Sequence, residues 1–231
     1  MTLDKRLSLA ASYVRPGSRL ADIGTDHARL PTALVASGRC PRAVASDLRP
    51  GPVEAARRTV AAAGLETVID IRLGDGLNPL APDEADDIVI AGMGGETIAA
   101  ILEAAPWIRD SRYRLILQPM TRAEHLHRYL LQNGFSILRE EAVQDEGRLY
   151  LALLAAFSDA PPAEEGDLRF LTGALSPTGA GKRYIEKQRR LLLRRAAGLR
   201  SRPLSSAAEK AEADRLEEAA AALRAYGEES T

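Results

Sequence analysis

The sequence predicts an α/β fold in which helices cover a seven-stranded, mostly parallel sheet and two further helices end the chain. Three observations support this prediction. Short strands rich in β-branched residues alternate with helical segments through the first part of the chain, as in a parallel sheet covered on both faces. Two more strands then follow each other directly, which indicates a hairpin. A strongly charged stretch with helical periodicity closes the sequence.

The composition is that of an ordinary globular protein. Of 231 residues, 45% are hydrophobic and 27% are charged, enough for one large core and an appendage. The N-terminus lacks the features of a signal peptide, and no run of about 18 apolar residues predicts a membrane span. The single cysteine, Cys40, looks structural and excludes an intrachain disulfide. We expect a cytoplasmic protein, either a monomer or a weak dimer.

The strands and helices follow in a regular order. Five strands are predicted at residues 19–23, 42–47, 68–73, 87–91 and 113–118. The intervening helices are predicted at residues 28–37, 51–63, from the glycine cluster to 102, and 122–133. Strands at 135–141 and 149–157, joined by a short acidic turn, complete the sheet with one antiparallel strand.

The C-terminal third differs in composition from the rest. We divide the chain into a domain at 1–158, a linker at 159–181 with one helical turn, and a helical domain at 182–231. Helices at 182–200 and 205–226 should pair as an antiparallel coiled coil. Its predicted apolar seam consists of Ile185, Leu192 and Leu199 on one helix and Leu204, Ala208, Ala211, Leu216, Ala220 and Leu223 on the other.

The net charge of −1 hides two opposite blocks. Residues 182–202 carry nine basic residues against one acidic residue, whereas residues 205–229 carry seven acidic and three basic residues. The two blocks could simply attract each other across the helix pair. Alternatively, the basic block forms a surface for nucleic acid. The candidate RNA-binding residues are Lys182, Arg183, Lys187, Arg190 and Arg194.

The turn after the first strand is acidic. Asp22 and Asp26 flank Gly24, whereas a dinucleotide-binding turn would carry three glycines for the pyrophosphate. Carboxylates suit a ligand with a cationic end, such as the sulfonium and ammonium groups of S-adenosylmethionine. An alternative is that Asp26 only caps the next helix.

The ends of the next two strands offer further polar groups. Asp47 closes the second strand, and its two carboxylate oxygens can accept both hydroxyls of a ribose. Gly74, Asp75 and Gly76 end the third strand. There the glycines let a planar base approach and Asp75 can accept from an adenine amino group, although a plain turn would look the same.

Four segments together resemble a known family. ADIGTDHARLP, IRLGDGL, IAGMGGETI and LILQPM, in this order and followed by two helices, are similar to the bacterial tRNA (adenine-22 N1)-methyltransferases over nearly the whole chain. The resemblance implies a Rossmann-like class I methyltransferase domain that uses S-adenosylmethionine, followed by a coiled coil. It also implies methylation of N1 of adenine 22 in tRNA.

The resemblance also implies the site residues. The cofactor would be surrounded by Asp22, Gly24, Asp26, His27, Asp47, Leu48, Gly74, Asp75, Gly76, Ala91 and Gly92. The methyl-transfer face would consist of Met93, Gly94, Gly95, Gln118 and Pro119. Met120 stands where some relatives carry Asn, which argues against a base contact from this position.

The chemistry of N1 methylation fits a site without a catalytic base. N1 of adenine has a free lone pair, so correct positioning can supply most of the catalysis. Because N1 lies on the Watson–Crick edge, the base must be unpaired or flipped out. We expect backbone carbonyls at residues 91–92 and the side chain of Gln118 to accept from its amino group, with Met93 against a ring face.

Other polar residues point to no separate site. His125 and His127 are two positions apart on a helix, so we expect surface residues and no metal. Tyr150 is predicted to lie in the core, and Lys5 or Arg6 could reach either RNA or the cofactor. Other functions that fit the sequence are methylation of a small molecule and a non-catalytic nucleotide- or RNA-binding module. The missing glycines argue against an NAD-dependent oxidoreductase.

Overall fold

The computed structural model describes residues 2–202 and 206–228 and contains the predicted seven-stranded sheet. The strands are β1 (Leu20–Ile23), β2 (Ala43–Asp47), β3 (Ile69–Leu73), β4 (Asp87–Gly94), β5 (Arg114–Thr121), β6 (Phe135–Asp145) and β7 (Arg148–Phe157). Their order is β3-β2-β1-β4-β5-β7-β6. Strand β7 alone runs in the opposite direction to the other strands, because it pairs antiparallel with both β5 and β6. The prediction of one antiparallel strand is therefore confirmed.

The helices are α1 (Lys5–Tyr13), α2 (Arg29–Ala36), α3 (Pro50–Ala62), α4 (Gly95–Glu103), α5 (Ala123–Gln132), α6 (Arg169–Thr172), α7 (Gly179–Arg200) and α8 (Ala207–Glu228), with a short 3₁₀ helix at Pro106–Ile108. One apolar layer joins α4 and α5 to the sheet, and another joins α1, α2 and α3 to it. All residues of β1 and β2 are buried. Helices cover both faces of the sheet at these parallel strands, and this burial explains why their sequences are mostly apolar.

Helix α1 was not predicted, although the sequence contains its signals. Asp4 caps the helix by accepting a hydrogen bond of 2.7 Å from the backbone amide of Leu7. Ala10, Ala11 and Tyr13 form its buried face, which packs against the β5–β7–β6 side of the sheet.

Strands β4 and β5 are longer than predicted. The sequence prediction ended β4 at residue 91 and β5 at residue 118, but the strands continue to Gly94 and Thr121. Gly92 has a positive φ of 82°, and the pairing of β4 with β5 shifts register between Ala91 and Met93. The glycine cluster is thus a β-bulge that re-aims the strand, as bulges next to binding sites do.

Helices α7 and α8 pack along each other, but the predicted seam is partly wrong. Ile185 and Leu192 are buried as expected, whereas Ala208 and Ala211 are exposed. On α8 the buried residues are Ala213, Ala220 and Leu223. Leu204 lies outside the described residues. Because α8 is rich in alanine on several faces, its sequence does not define one apolar stripe.

His127 was predicted to be a surface residue, and this prediction is wrong. His127 is fully buried on the face of α5 that also carries Leu126 and Leu130. Its Nε2 lies 2.9 Å from Oε1 of Glu140, which is itself buried. Burial lowers the pKa of His127, but the Glu140 carboxylate outweighs that effect and the net pKa is raised. The carboxylate therefore shifts the imidazole towards its charged form.

The same carboxylate holds the segment predicted as a linker. Oε2 of Glu140 accepts a hydrogen bond of 2.9 Å from the amide of Ala174. A Cβ on Gly173, whose φ is +56°, would overlap that oxygen. Phe170 and Leu175 are buried on either side. The segment is therefore packed against the sheet domain at this point.

We predict that Glu140→Ala lowers the free energy of unfolding by about 3–5 kcal/mol, because it removes the buried partner of both the His127 imidazole and the Ala174 amide. Urea unfolding at pH 7 measures this change. Glu165→Ala is the control, since the ion pair of Glu165 with Arg128 is exposed and such pairs contribute little. Equal stability of the two variants would contradict the role assigned to the buried pair.

Candidate active site

A pocket of about 420 Å³ lies at the carboxyl ends of β1, β2 and β4. The strand order reverses between β1 and β4, which is where open α/β sheets bind ligands. Eight predicted cofactor or methyl-transfer residues line the pocket: Asp22, Gly24, Asp26, His27, Asp47, Ala91, Gly92 and Met93. The remaining lining residues are Asp4, Arg6, Leu7, Thr25, Arg29, Leu30, Arg49 and Met120.

The turn after β1 forms the floor of the pocket. The amides of Gly24 and Thr25 both donate to the carbonyl of Ser46, at 2.8 and 2.9 Å, and so tie the turn to β2. Gly24 has a φ of +72°, and a Cβ there would overlap the methyl group of Met93. Both the conformation and the space therefore favour glycine.

Asp26 does not cap the following helix. The residue at the N-cap position of α2 is Ala28, and no side chain bonds the first turn. Asp26 has an unusual φ of +48° and an exposed carboxylate, 3.7 Å from Nε2 of His27. The capping alternative is therefore wrong, and the carboxylate is free to face the pocket that it lines.

Asp22 and Asp47 are the two buried carboxylates of the pocket. Thr25 donates to Oδ2 of Asp22 at 2.5 Å, yet burial raises the pKa of Asp22 to about 6. Oδ1 of Asp47 accepts a hydrogen bond of 2.9 Å from the amide of Arg49. Both are acceptors for the donor or cationic groups of a ligand.

The predicted residues at the end of β3 lie beside this pocket but do not line it. Gly74 donates to the carbonyl of Asp47 at 3.0 Å, so the ends of β2 and β3 adjoin. Asp75 and Gly76 line a second cavity of about 190 Å³ with residues of α4. Leu48 is 64% exposed and is absent from the lining of both cavities.

Gln118 is fully buried, and its amide is already occupied. Its Oε1 accepts from Nη1 of Arg6 at 2.8 Å and from the amide of Gly92 at 3.1 Å. Its Nε2 donates to the carbonyl of Pro119 at 3.0 Å. The expectation that Gln118 accepts from the target base is therefore wrong for this arrangement, because the oxygen is buried and shared by two protein donors.

Of the other two glycines in the cluster, Gly95 is required by packing. A Cβ on Gly95 would overlap the backbone carbonyl of Arg122, whereas one on Gly94 would make an ordinary contact of 3.4 Å with Oγ1 of Thr121. Gly95 thus lets the start of α4 approach the β5–α5 turn closely. Sequence analysis assigned Gly94 and Gly95 to the methyl-transfer face, but neither lines the pocket described above.

A second large space, which we call the cleft, lies between the β5–α5 turn, β7, α6 and the paired helices α7 and α8. It measures about 820 Å³ and is lined by Pro119 and Met120 among others. Met120 lines the first pocket as well, so the two spaces meet at this residue. The predicted residue Pro119 faces the cleft rather than the first pocket.

The five predicted RNA-binding residues share one surface. Lys182, Arg183, Lys187, Arg190 and Arg194 all line a trough of about 780 Å³, which we call the basic trough. Its apolar lining includes Leu149, Ile185 and Leu223. Arg190 also pairs with Glu186 at 2.9 Å.

Other basic residues of α7 bond to α8 instead. Arg195 pairs with Glu212 at 3.5 Å, and Arg200 pairs with Asp214 at 2.5 Å and with Glu217 at 2.9 Å. Both interpretations of the basic block are thus represented in the structure. One face of α7 attracts α8, and the other carries cations around the trough.

The sequence allowed Arg6 to reach either RNA or the cofactor, and Arg6 lines the pocket, but the helix that carries it was not predicted. Asp4, Arg6 and Leu7 line the pocket because α1 crosses beside β4 and β5. The Asp cap and the apolar spacing of α1 would have located this helix.

Among the described residues, no three His, Cys, Asp or Glu side chains are placed to hold a metal ion. Nor does any described helix combine the length and apolarity needed to cross a membrane.

Comparison with protein families and with curated proteins identifies relatives. The family model for a methyltransferase domain matches residues 3–153. The tRNA (adenine(22)-N(1))-methyltransferase of Bacillus subtilis (strain 168) is 39% identical over 166 residues, which cover 72% of this chain and 70% of the relative.

Solved structures share the whole architecture. The crystal structure of the B. subtilis m1A22 tRNA methyltransferase TrmK is 30% identical, with a TM-score of 0.87 over 98% of this chain and 99% of that chain. A Streptococcus pneumoniae protein solved in complex with S-adenosyl-L-methionine is also 30% identical, with a TM-score of 0.79 over 96% and 99% of the two chains. The similarity includes the C-terminal helices.

We predict that Asp22→Asn stabilises the unliganded protein at pH 7 by about 3 kcal/mol, since each unit of pKa shift corresponds to about 1.4 kcal/mol. The pKa of Asp22 is about 6, against about 3.9 in the unfolded chain. Its ionisation therefore destabilises the folded state as the pH rises from about 4 to 6. At pH 4 the variant and the wild type should therefore have the same free energy of unfolding.

Urea unfolding at pH 4 and pH 7 measures this difference, and calorimetry should show weaker binding of S-adenosylmethionine by the same variant. Asp75→Asn is the control, because Asp75 is exposed and its replacement should leave stability unchanged. If Asp22→Asn is no more stable than the wild type at pH 7, burial of the ionised Asp22 carboxylate does not destabilise the folded protein as we predict.

Proposed function

Because the chain belongs to the tRNA (adenine(22)-N(1))-methyltransferase family, we propose that it transfers a methyl group from S-adenosylmethionine to N1 of adenine 22 in tRNA. The observation that carries this function is the acidic, glycine-floored pocket at the reversal of strand order. It combines two buried carboxylates with a backbone turn that leaves room for a ligand.

The residues of the pocket fit S-adenosylmethionine. A volume of about 420 Å³ lies within the usual range for small-molecule sites. Three arginines and four aspartates line it, which suits a zwitterionic amino acid group beside a sulfonium. A pyrophosphate would instead need several backbone amides and no carboxylates at the first turn.

We assign distinct roles to the two buried carboxylates. Asp22 attracts the cationic end of the cofactor, and its raised pKa returns towards normal when that charge arrives. Asp47 accepts from the ribose hydroxyls at the end of β2, with its own orientation fixed by the amide of Arg49. Asp75, exposed beside these strand ends, is proposed to interact with the adenine amino group.

S-adenosylmethionine supplies an activated methyl group, and the protein supplies position. N1 of adenine attacks with its own lone pair, so no side chain has to remove a proton from it first. The β-bulge at Gly92 and the side chain of Met93 present a surface with little bulk to the target base. Gln118 holds Arg6 and the Gly92 amide in place, and thus fixes the rim of the pocket.

The helical tail supplies affinity for tRNA. The basic trough carries cations that can contact phosphates, and such contacts position RNA without selecting a base. We also propose that the protein acts as a monomer or weak dimer. A tRNA substrate also supports a cytoplasmic location.

The proposed function predicts formation of 1-methyladenosine at position 22 when the protein is incubated with S-adenosylmethionine and an unmodified tRNA that carries A22. Nuclease digestion and mass spectrometry identify the product and its position. The same tRNA with G22 should give no product. Cofactor binding without transfer to any tRNA would contradict the proposal and favour a small-molecule methyltransferase.

The role of the basic trough is tested by Arg183→Glu/Arg194→Glu. Loss of two phosphate contacts should weaken tRNA binding and lower the slope of log Kd against log salt concentration by about two. Arg42→Glu/Arg58→Glu makes the same change in net charge at exposed positions on other elements. If both double variants weaken binding equally, overall charge rather than the trough attracts the RNA.

A further inference from the structure

Arg122 occupies an unusual position next to the active site. It is the N-cap residue of α5 and has a left-handed φ of +57°, a conformation that is uncommon outside glycine. Its backbone carbonyl lies so close to Gly95 that a Cβ there would overlap it. The backbone of Arg122 is therefore fixed between α4 and α5, two residues after Met120.

The side chain of Arg122 is available for exchange of partners. It is 55% exposed and lies 3.1 Å from Glu96 and 3.9 Å from Glu124, whose side chains are also solvent-accessible. Exposed ion pairs of this kind contribute little to stability. A phosphate can replace these carboxylates, because guanidinium groups form paired hydrogen bonds with either anion.

Arg122 lines the cleft, which adjoins the cofactor pocket. Met120 lines both spaces, so the cleft and the site of methyl transfer are neighbours. Charged residues of both signs line the cleft, with basic ones in excess: Arg122, Arg128, Lys187, Arg195 and Arg215 against Glu124, Asp167 and Glu218.

The cleft also contains apolar side chains, of which Met120 and Leu191 are exposed. Single-stranded RNA is bound by such a combination, in which apolar or aromatic side chains contact unstacked bases and cations contact the backbone. A fully paired helix would not present N1 of adenine. The chemistry of the cleft therefore fits an unpaired strand.

We propose that the cleft receives the unpaired tRNA segment that carries the target adenine, and that Arg122 binds a phosphate of this segment to set the base over the cofactor pocket. This inference rests on the proposed function. It assigns the entry path of the base to the side of the β5–α5 turn and gives Arg122 a role separate from the basic trough. Since Arg122 contacts substrate, its loss should affect tRNA and leave the cofactor unaffected.

Arg122→Gly tests this proposal, because glycine suits the left-handed backbone while removing the guanidinium. Loss of a charge-assisted hydrogen bond to phosphate should lower kcat/KM for tRNA by about 10- to 100-fold. The slope of log KM against log salt concentration should fall by about one. Calorimetry should show unchanged affinity for S-adenosylmethionine, and thermal unfolding should be that of the wild type.

Two control variants separate charge from backbone effects. Arg109→Ala removes an exposed cation that does not line the cleft. Asp159→Gly removes a side chain at another left-handed position, with a φ of +52°. Both should retain wild-type kinetics with tRNA.

The outcomes distinguish this inference from the proposed function. A wild-type protein that forms no 1-methyladenosine overturns the proposed function itself. An active wild type with unchanged tRNA kinetics in Arg122→Gly overturns the role of Arg122 alone. A loss of activity with an unchanged salt slope, or with lost cofactor binding, shows a merely structural effect and also overturns it.

Discussion

The hydrogen bonds of the Gln118 side chain join the three elements that shape the pocket. Its oxygen accepts from Arg6 of α1 and from the amide of Gly92 in β4, while Gln118 itself belongs to β5. The bulge at Gly92 turns an otherwise paired amide away from the sheet, and Gln118 satisfies it. Without this partner the partly buried amide would lose a hydrogen bond that typically contributes about 0.5–1.5 kcal/mol. The conformation of the glycine cluster, the place of α1 and the opening of the pocket therefore depend on one side chain.

Most of the sheet could be predicted from the sequence because its strands are buried on both faces. Continuous apolar runs such as Ile88, Val89 and Ile90 allow few alternatives, and the helices between them indicate parallel strands joined by crossovers. The predicted family, fold and cofactor are confirmed by relatives that share the methyltransferase domain and by structures with bound cofactor. The acidic first turn could be predicted because Asp22, Gly24 and Asp26 lie within five residues of each other in the sequence.

The remaining features depend on partners distant in sequence. Burial of His127 requires Glu140, and a histidine between leucines does not reveal that partner. The role of Gln118 depends on Arg6, which is 112 positions away. The seam of α8 could not be assigned because alanine occurs on several of its faces. Periodicity and local motifs report the environment of a residue along its own element, whereas these contacts are set by tertiary packing.

The contact of Glu140 with both His127 and Ala174 has a consequence for how the protein can be divided. One carboxylate pairs with a buried imidazole of the sheet domain and anchors the chain that leads to the helical tail. A chain ended near residue 158 would lose the Ala174 amide and the cover that Phe170 and Leu175 provide, and water would reach the ion pair. We therefore expect the two halves to stabilise each other, so that an isolated methyltransferase domain would report on a weakened protein rather than on the contribution of the tail alone.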